Sequence, residues 1–248
     1  MPAAPFASRT YDPGDLRLPA VRPWAAAMRR FAAGLGLRRT PFAVNGVLHR
    51  RVLVSAHKLW EYAVSAACIL SEPSRKESLR ILDFGGAATL PVYFFAARGH
   101  AVECLDIDEE LCAATRRAAA RHRWPLGVSS LNLVDTPPPA DWERFDAVIS
   151  ASVLEHIPKA QQEVAVARLA DLVRPGGVFV LSFDFGADAP QPLAVRSVEE
   201  AERLVAASGL DYLGGGHFRD TGARYALDRR HPTRRFTFGV LFLERRLR

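Results

Sequence analysis

The sequence predicts an α/β fold: a doubly wound, mostly parallel sheet of seven strands with N-terminal cap helices and a C-terminal antiparallel strand. Three observations carry that prediction. From Leu79 onward short apolar runs alternate with helical patterns, and such alternation with short loops means parallel strands joined by helical crossovers. Ahead of Leu79, two helical stretches stand without intervening strand patterns. Past Gly214-Gly215-Gly216 a last apolar run, 236–243, alternates with Thr237 and Gly239 and follows no helix, which suits an antiparallel strand.

The elements follow in order. Pro2, Pro5, Pro13 and Pro19 make the first twenty residues read as an arm rather than as packed structure. Trp24, Ala27, Met28, Phe31 and Leu35 recur at helical spacing opposite Arg29 and Arg30, predicting a helix over 24–37. Leu59, Tyr62, Ala63, Ala66 and Ile69 predict a second over 55–70, broken by Ser71-Glu72-Pro73-Ser74. Strands are expected at 80–84, 101–106, 127–131, 147–150, 178–183 and 210–213. Helices are expected at 90–98, 109–122, 161–172 and 198–208, the last opened by a Ser197/Glu200 capping box. Residues 1–54 thus form an arm and cap helix, 55–248 the main domain, and 214–235 a loop insertion.

Composition narrows the function classes. The chain has 248 residues, and its net charge of +6 is unevenly spread. Residues 1–51 carry 9 Arg against 2 acids and 217–248 carry 9 Arg against 3, while the body between them is acidic. A nucleic-acid binder more often shows a basic face on its main domain, so no nucleic-acid partner is expected. The basic ends are either solvated or a mouth of Arg side chains over an anionic substrate. No stretch approaches about 18 uninterrupted apolar residues, and no basic-then-apolar leader opens the chain. Cys68, Cys104 and Cys112 lack CxxC spacing. The expectation is a cytoplasmic protein without a membrane segment; oligomeric state is left open.

Chemistry should gather at the carboxyl ends of the parallel strands. The first of them ends Asp83-Phe84-Gly85-Gly86-Ala87-Ala88-Thr89, small residues that let the backbone approach a ligand ahead of a helix N-terminus. The second ends Leu105-Asp106-Ile107-Asp108, placing a carboxylate about 20 residues past the glycines, where it can accept both hydroxyls of a ribose. Together they point to a nucleoside-containing cofactor. The third glycine of a dinucleotide loop is missing, since Leu90 stands there, and there is no Tyr-x-x-x-Lys pair, so a nicotinamide reductase is disfavoured.

The segment resembles the class I S-adenosylmethionine-dependent methyltransferases over roughly 55–215. Asp83, Gly85, Gly86 and Ala87 stand in that family's cofactor loop, Asp106 (with Ile107) at its ribose acid, and Asp135 at its adenine-recognising acid. Phe145 to Ile157, including Ser150 and Ala151, is similar to the fourth strand and following helix, and Leu172-Val173-Arg174-Pro175-Gly176-Gly177 to the turn before the fifth strand. Ala87 and Thr89 replace glycines of the loop, which implies a variant turn and weaker cofactor binding. Lys58-Leu59-Trp60-Glu61-Tyr62 resembles a segment that some small-molecule members place over the cofactor. The resemblance implies Lys58 at the methionine carboxylate and Trp60 or Tyr62 beside the sulfonium; plain helix packing of both rings is the alternative.

It further implies methyl transfer from S-adenosylmethionine to a small-molecule O, N or C acceptor, leaving S-adenosylhomocysteine. His156 is the candidate general base and no metal is expected. His217, Tyr225 and His231 sit where members build acceptor pockets, and the Arg-rich insertion would favour an anionic acceptor. An RNA or protein methyltransferase using the basic ends, and a non-catalytic relative, remain open.

Overall fold

A computed structural model describes residues 6–44, 46–49, 54–70, 78–139, 142–228 and 232–247. The elements in chain order are β1 (Arg9–Thr10), α1 (Arg22–Leu37), β2 (Phe42–Val44), β3 (Val47–His49), α2 (Ala56–Leu70), β4 (Arg80–Phe84), α3 (Leu90–Ala97), β5 (Ala101–Asp106), α4 (Glu109–His122) and β6 (Leu126–Ser130). They continue with β7 (Phe145–Ala151), α5 (Lys159–Asp171), β8 (Val173–Phe185), α6 (Val198–Ser208), β9 (Asp211–Tyr212) and β10 (Thr237–Glu244). The mixed α/β class with a mostly parallel sheet is as the sequence predicts. Contacts divide the chain into two compact units, residues 14–132 and residues 1–13 with 133–248.

In the unit of residues 14–132, β4, β5 and β6 pair in parallel, with Asp83 opposite Cys104 and Asp106 opposite Ser130. Helix α1 buries Trp24, Ala25, Met28, Ala32 and Leu35 along one side; of the stripe that its periodicity implied, Trp24, Met28 and Leu35 are buried while Ala27 and Phe31 are half-buried. By contrast α2 is buried continuously from Leu59 to Leu70, and α3 is apolar all round, so both are interior helices. Asp108 caps α4, accepting the Leu111 N–H at 3.1 Å. The break expected at Ser71–Ser74 lies outside the described residues.

In the other unit β7 and β8 are parallel, and β10 returns antiparallel along β8 from Thr237↔Phe185 to Glu244↔Val178. Strand β8 starts five residues earlier than the sequence suggests, because Val173 already pairs with Phe145. The register then shifts across Arg174-Pro175-Gly176-Gly177, where Gly176 has φ +74°. Glycine at 239 is a packing requirement: a Cβ there would lie 2.5 Å from Phe183 Cε2. The arm is packed, contrary to expectation. Arg9–Thr10 pairs antiparallel with β10, and Ser8, Thr10 and Tyr11 are buried. Proline count misleads here because an edge strand of two residues needs little proline-free chain. Among the described residues no helix is long and apolar enough to cross a membrane.

Candidate functional site

The turn after β4 is built around Asp83. Its side chain is buried and lies where a Cβ on Gly86 would have to go, so residue 86 must be glycine while Asp83 holds this position. Gly85 has φ +75° and donates its N–H to Leu105 O at 2.7 Å. The second left-handed residue is Ala88 at φ +59°; Ala87 is not in that region. The substitution at 87 therefore carries no backbone strain, and the strained alanine is one residue later, where L-residues pay about 1–2 kcal/mol. Ala88 is held there from both sides, its N–H donating to Thr115 Oγ1 at 2.7 Å and its carbonyl accepting from Ala43 at 2.6 Å. Thr89 closes the turn, its hydroxyl donating to Gly86 O at 2.7 Å.

Asp106 is 9% exposed at the end of β5. Its Oδ2 accepts the Ala87 N–H and its Oδ1 the Asp108 N–H, each at 3.0 Å. One carboxylate thereby ties the glycine turn to the start of α4, and each oxygen keeps a second lone pair for a ligand hydroxyl. Ile107, next along, is 71% exposed, an unusual outlay of apolar surface beside a buried acid. Burial, with a smaller push from Asp106, lifts the Asp83 carboxyl to about 8.

Helix α2 brings a charged group to the same neighbourhood. Lys58 Nζ lies 2.8 Å from Glu61 Oε2, and the Glu61 side chain is fully buried. The spacing of three puts the pair on one helix face. The phenol of Tyr62 is raised to about 12, mainly by burial; Lys58 opposes this rise while Glu61 and Asp83 add to it. Lys58, Glu61, Tyr62 and Asp83 thus form one electrostatic cluster. Trp60 lies in packing instead: it is 1% exposed and its indole N–H donates to buried Asp15 at 2.9 Å. Sequence reasoning gave no role to Glu61, though Lys58-x-x-Glu61 was its signal, and missed Asp15, for which no pattern existed. It also missed the β2–β3 hairpin that holds Ala88, despite the Asn45-Gly46 dipeptide favoured in such turns.

The remaining expected residues belong to the other unit. Ser150 is buried near the end of β7, followed by half-buried Ala151. Ser152 takes φ +55° and donates its N–H to Ser182 O at 3.0 Å, a strained corner of the kind that clusters at functional sites. His156 is exposed on the 3₁₀ turn Leu154–His156. Asp135 is exposed beyond β6, on a loop whose Leu133 and Val134 carbonyls accept from Arg168 at 2.7 and 2.8 Å. In the insertion His217 is exposed, Tyr225 meets Tyr11 edge-on at 5.2 Å, and His231 lies outside the described residues.

Residues 81–177, the stretch holding the glycine turn, Asp106 and β7, match the family model described as a methyltransferase domain. No curated protein sequence matches the chain. Among solved structures it is similar to TehB from Haemophilus influenzae (TM-score 0.55, 13% identity, covering 74% of this chain and 61% of that one). It therefore spans 61% of TehB's length. It is also similar to magnesium protoporphyrin IX methyltransferase (ChlM) from Synechocystis PCC 6803 with bound SAM (TM-score 0.54, 16% identity, 92% and 98% coverage). A third is the [4+2]-cyclase SpnF (TM-score 0.58, 14% identity, 92% and 95% coverage). These likenesses show the Rossmann-like methyltransferase fold, and the match to the methyltransferase domain model lies within it, over residues 81–177.

Proposed function

We propose that residues 55–248 transfer a methyl group from S-adenosylmethionine to a small-molecule acceptor, with the cofactor held mainly by the Asp83–Asp106 turn. The observation that carries this reading is the doubly anchored Asp106 carboxylate beside a glycine that tolerates no side chain. Asp106 would accept the ribose hydroxyls, exposed Ile107 would cover one face of the adenine, and Asp135 would meet the adenine amino group. Gly85, Gly86 and Ala87 would give the close backbone approach. Lys58, held in place by Glu61, suits the methionine carboxylate. Tyr62 rather than Trp60 suits the sulfonium, since the Trp60 N–H is committed to Asp15. Ser150 and Ala151 would line the reacting end.

When bound, S-adenosylmethionine supplies an electrophilic methyl group whose sulfur leaves with the bonding pair. The chain's work is alignment and exclusion of water. His156 would take a proton from an acceptor hydroxyl, amine or carbon whose pKa demands it. The insertion 214–235 would close over an acceptor bearing a carboxylate or phosphate. Its Arg224 is already neutralised by Asp220 at 2.6 Å, so Arg219, Arg234 and Arg235, all exposed, are the anion partners among the described residues. Arg229 and Arg230 lie outside them.

Calorimetry with S-adenosylmethionine, S-adenosylhomocysteine, NADH and NADPH tests the cofactor assignment, and only the first two should bind. Asp106→Ala should weaken that binding about tenfold or more, since charge-assisted bonds are worth about 1.5–3 kcal/mol. It should also loosen the turn by freeing two N–H groups. Unchanged affinity would remove Asp106 from the site. Replacing 217–235 by a Gly/Ser linker should abolish turnover while cofactor affinity persists. Retained activity would dismiss the insertion's role, and cofactor binding without turnover of any acceptor by the wild type would favour a non-catalytic relative.

A further inference from the structure

A cavity lies in the unit of residues 14–132, lined by no residue of the glycine turn. It is a groove of about 420 Å³ lined by Ala27, Arg30 and Phe31 of α1, Arg38, Phe94 and Ala97 of α3, Arg98 and Trp124. That volume falls in the range of small-molecule sites. Three arginines line it and none of the described lining residues is acidic. Neither Arg30 nor Arg38 forms an ion pair among the described residues, and both are exposed. Like charges gathered on one groove repel, so the groove stands to gain from an anion.

The walls are aromatic and fixed. Trp124 is stacked on His122 at 4.4 Å and 19°, and His122 Nε2 is 2.7 Å from Thr40 Oγ1. Tyr93 and Phe31 meet the same indole at 5.3 and 6.2 Å. Arg98 lies over the Trp24 and Phe94 rings at 5.2 and 5.4 Å. Preset aromatic faces beside guanidinium forks recognise a flat ring carrying an anionic group, because stacking and paired hydrogen bonds are satisfied together.

We infer that this groove is a second ligand site, specific for a small planar aromatic anion such as an aromatic carboxylate, sulfonate or phosphate. It shares no residue with the cofactor site proposed above. Its nearest connection is α3, which begins at the glycine turn with Leu90 and ends in the groove with Ala97. Eight residues of helix separate the two ends by about 11 Å.

Naphthalene-1-sulfonate is a suitable probe, with neutral 1-naphthalenemethanol and inorganic sulfate as the ring-only and charge-only controls. Calorimetry on the full chain should give saturable one-to-one binding of the sulfonate, with both controls far weaker. Arg30→Gln with Arg38→Gln should weaken it about tenfold or more, while the circular dichroism spectrum and S-adenosylhomocysteine affinity stay unchanged. Saturating S-adenosylhomocysteine should not displace the probe. No binding, equal binding in the double variant, or displacement by S-adenosylhomocysteine would each overturn the assignment. So would preferential, steeply salt-dependent capture of single-stranded RNA through these arginines. Should the cofactor reading fail instead, S-adenosylhomocysteine affinity is what is lost, and the sulfonate result stands apart from it.

Discussion

Asp83 shows how one side chain can set a loop and its pH response together. Its carboxyl is raised to about 8 by burial and by Asp106, so the folded chain holds a proton there that the unfolded chain releases near pH 4. Stabilisation from the protonated form is complete below about 4, declines as pH rises from about 4 to about 8, and is gone above that. Asp83→Asn should therefore flatten the fall of Tm with pH across this window relative to the wild type. Matching slopes for the two proteins would mean that the carboxyl titrates normally. A cationic ligand group beside Asp83 would pull the proton off. Binding of S-adenosylmethionine near pH 7 should then release protons, seen as an enthalpy that varies with the buffer's ionisation heat.

At the scale of elements, the cap of α6 offers a clean measurement. Ser197 takes extended dihedrals and its side chain accepts the Glu200 N–H, as the Ser-x-x-Glu spacing implied. Ser197→Ala should cost about 1 kcal/mol, read from urea unfolding with an unchanged m-value; no loss would mean that the bond is not formed in solution. The sequence resolved such elements well wherever a period was long or a cap was present: α4 and α6 fall at 109–122 and 198–208 and β4 and β5 at 80–84 and 101–106, as predicted. It failed where tertiary pairing makes the structure. The two residues of β1 carry no period, and the pairing of Val173 depends on Phe145, 28 positions away in sequence. The site divides likewise. Asp83, Gly86 and Asp106 were legible because strand ends concentrate ligand chemistry, whereas Trp60's bond to Asp15 joins residues 45 apart with no shared motif.

At the scale of the molecule, the N-terminal arm and the C-terminal insertion behave as one assembly. Thr10 donates its N–H to Arg219 O at 3.1 Å, Arg219 returns a bond to Ser8 O at 3.0 Å, and the Thr221 N–H donates to Thr10 Oγ1 at 2.9 Å. Tyr11 donates its N–H to Phe238 O at 2.8 Å, and Ser8 Oγ accepts from Phe242 N at 2.9 Å. Phe6 packs on Phe242 at 5.5 Å. Residues more than 200 positions apart therefore fix the loop proposed to hold the acceptor. Deleting the chain through Asp12 should cost roughly 3–5 kcal/mol, at about 1 kcal/mol net for each hydrogen bond lost, and should uncover the β10 edge to association. Hydrogen exchange should accelerate most across 219–225, and turnover should fall while S-adenosylhomocysteine affinity holds. That split follows because every tie named here lies in the unit of residues 1–13 and 133–248, whereas Asp83 and Asp106 lie in the other. Equal loss of cofactor affinity and turnover would show that the arm supports the whole fold, and unchanged exchange at 219–225 would show that the insertion is held without it.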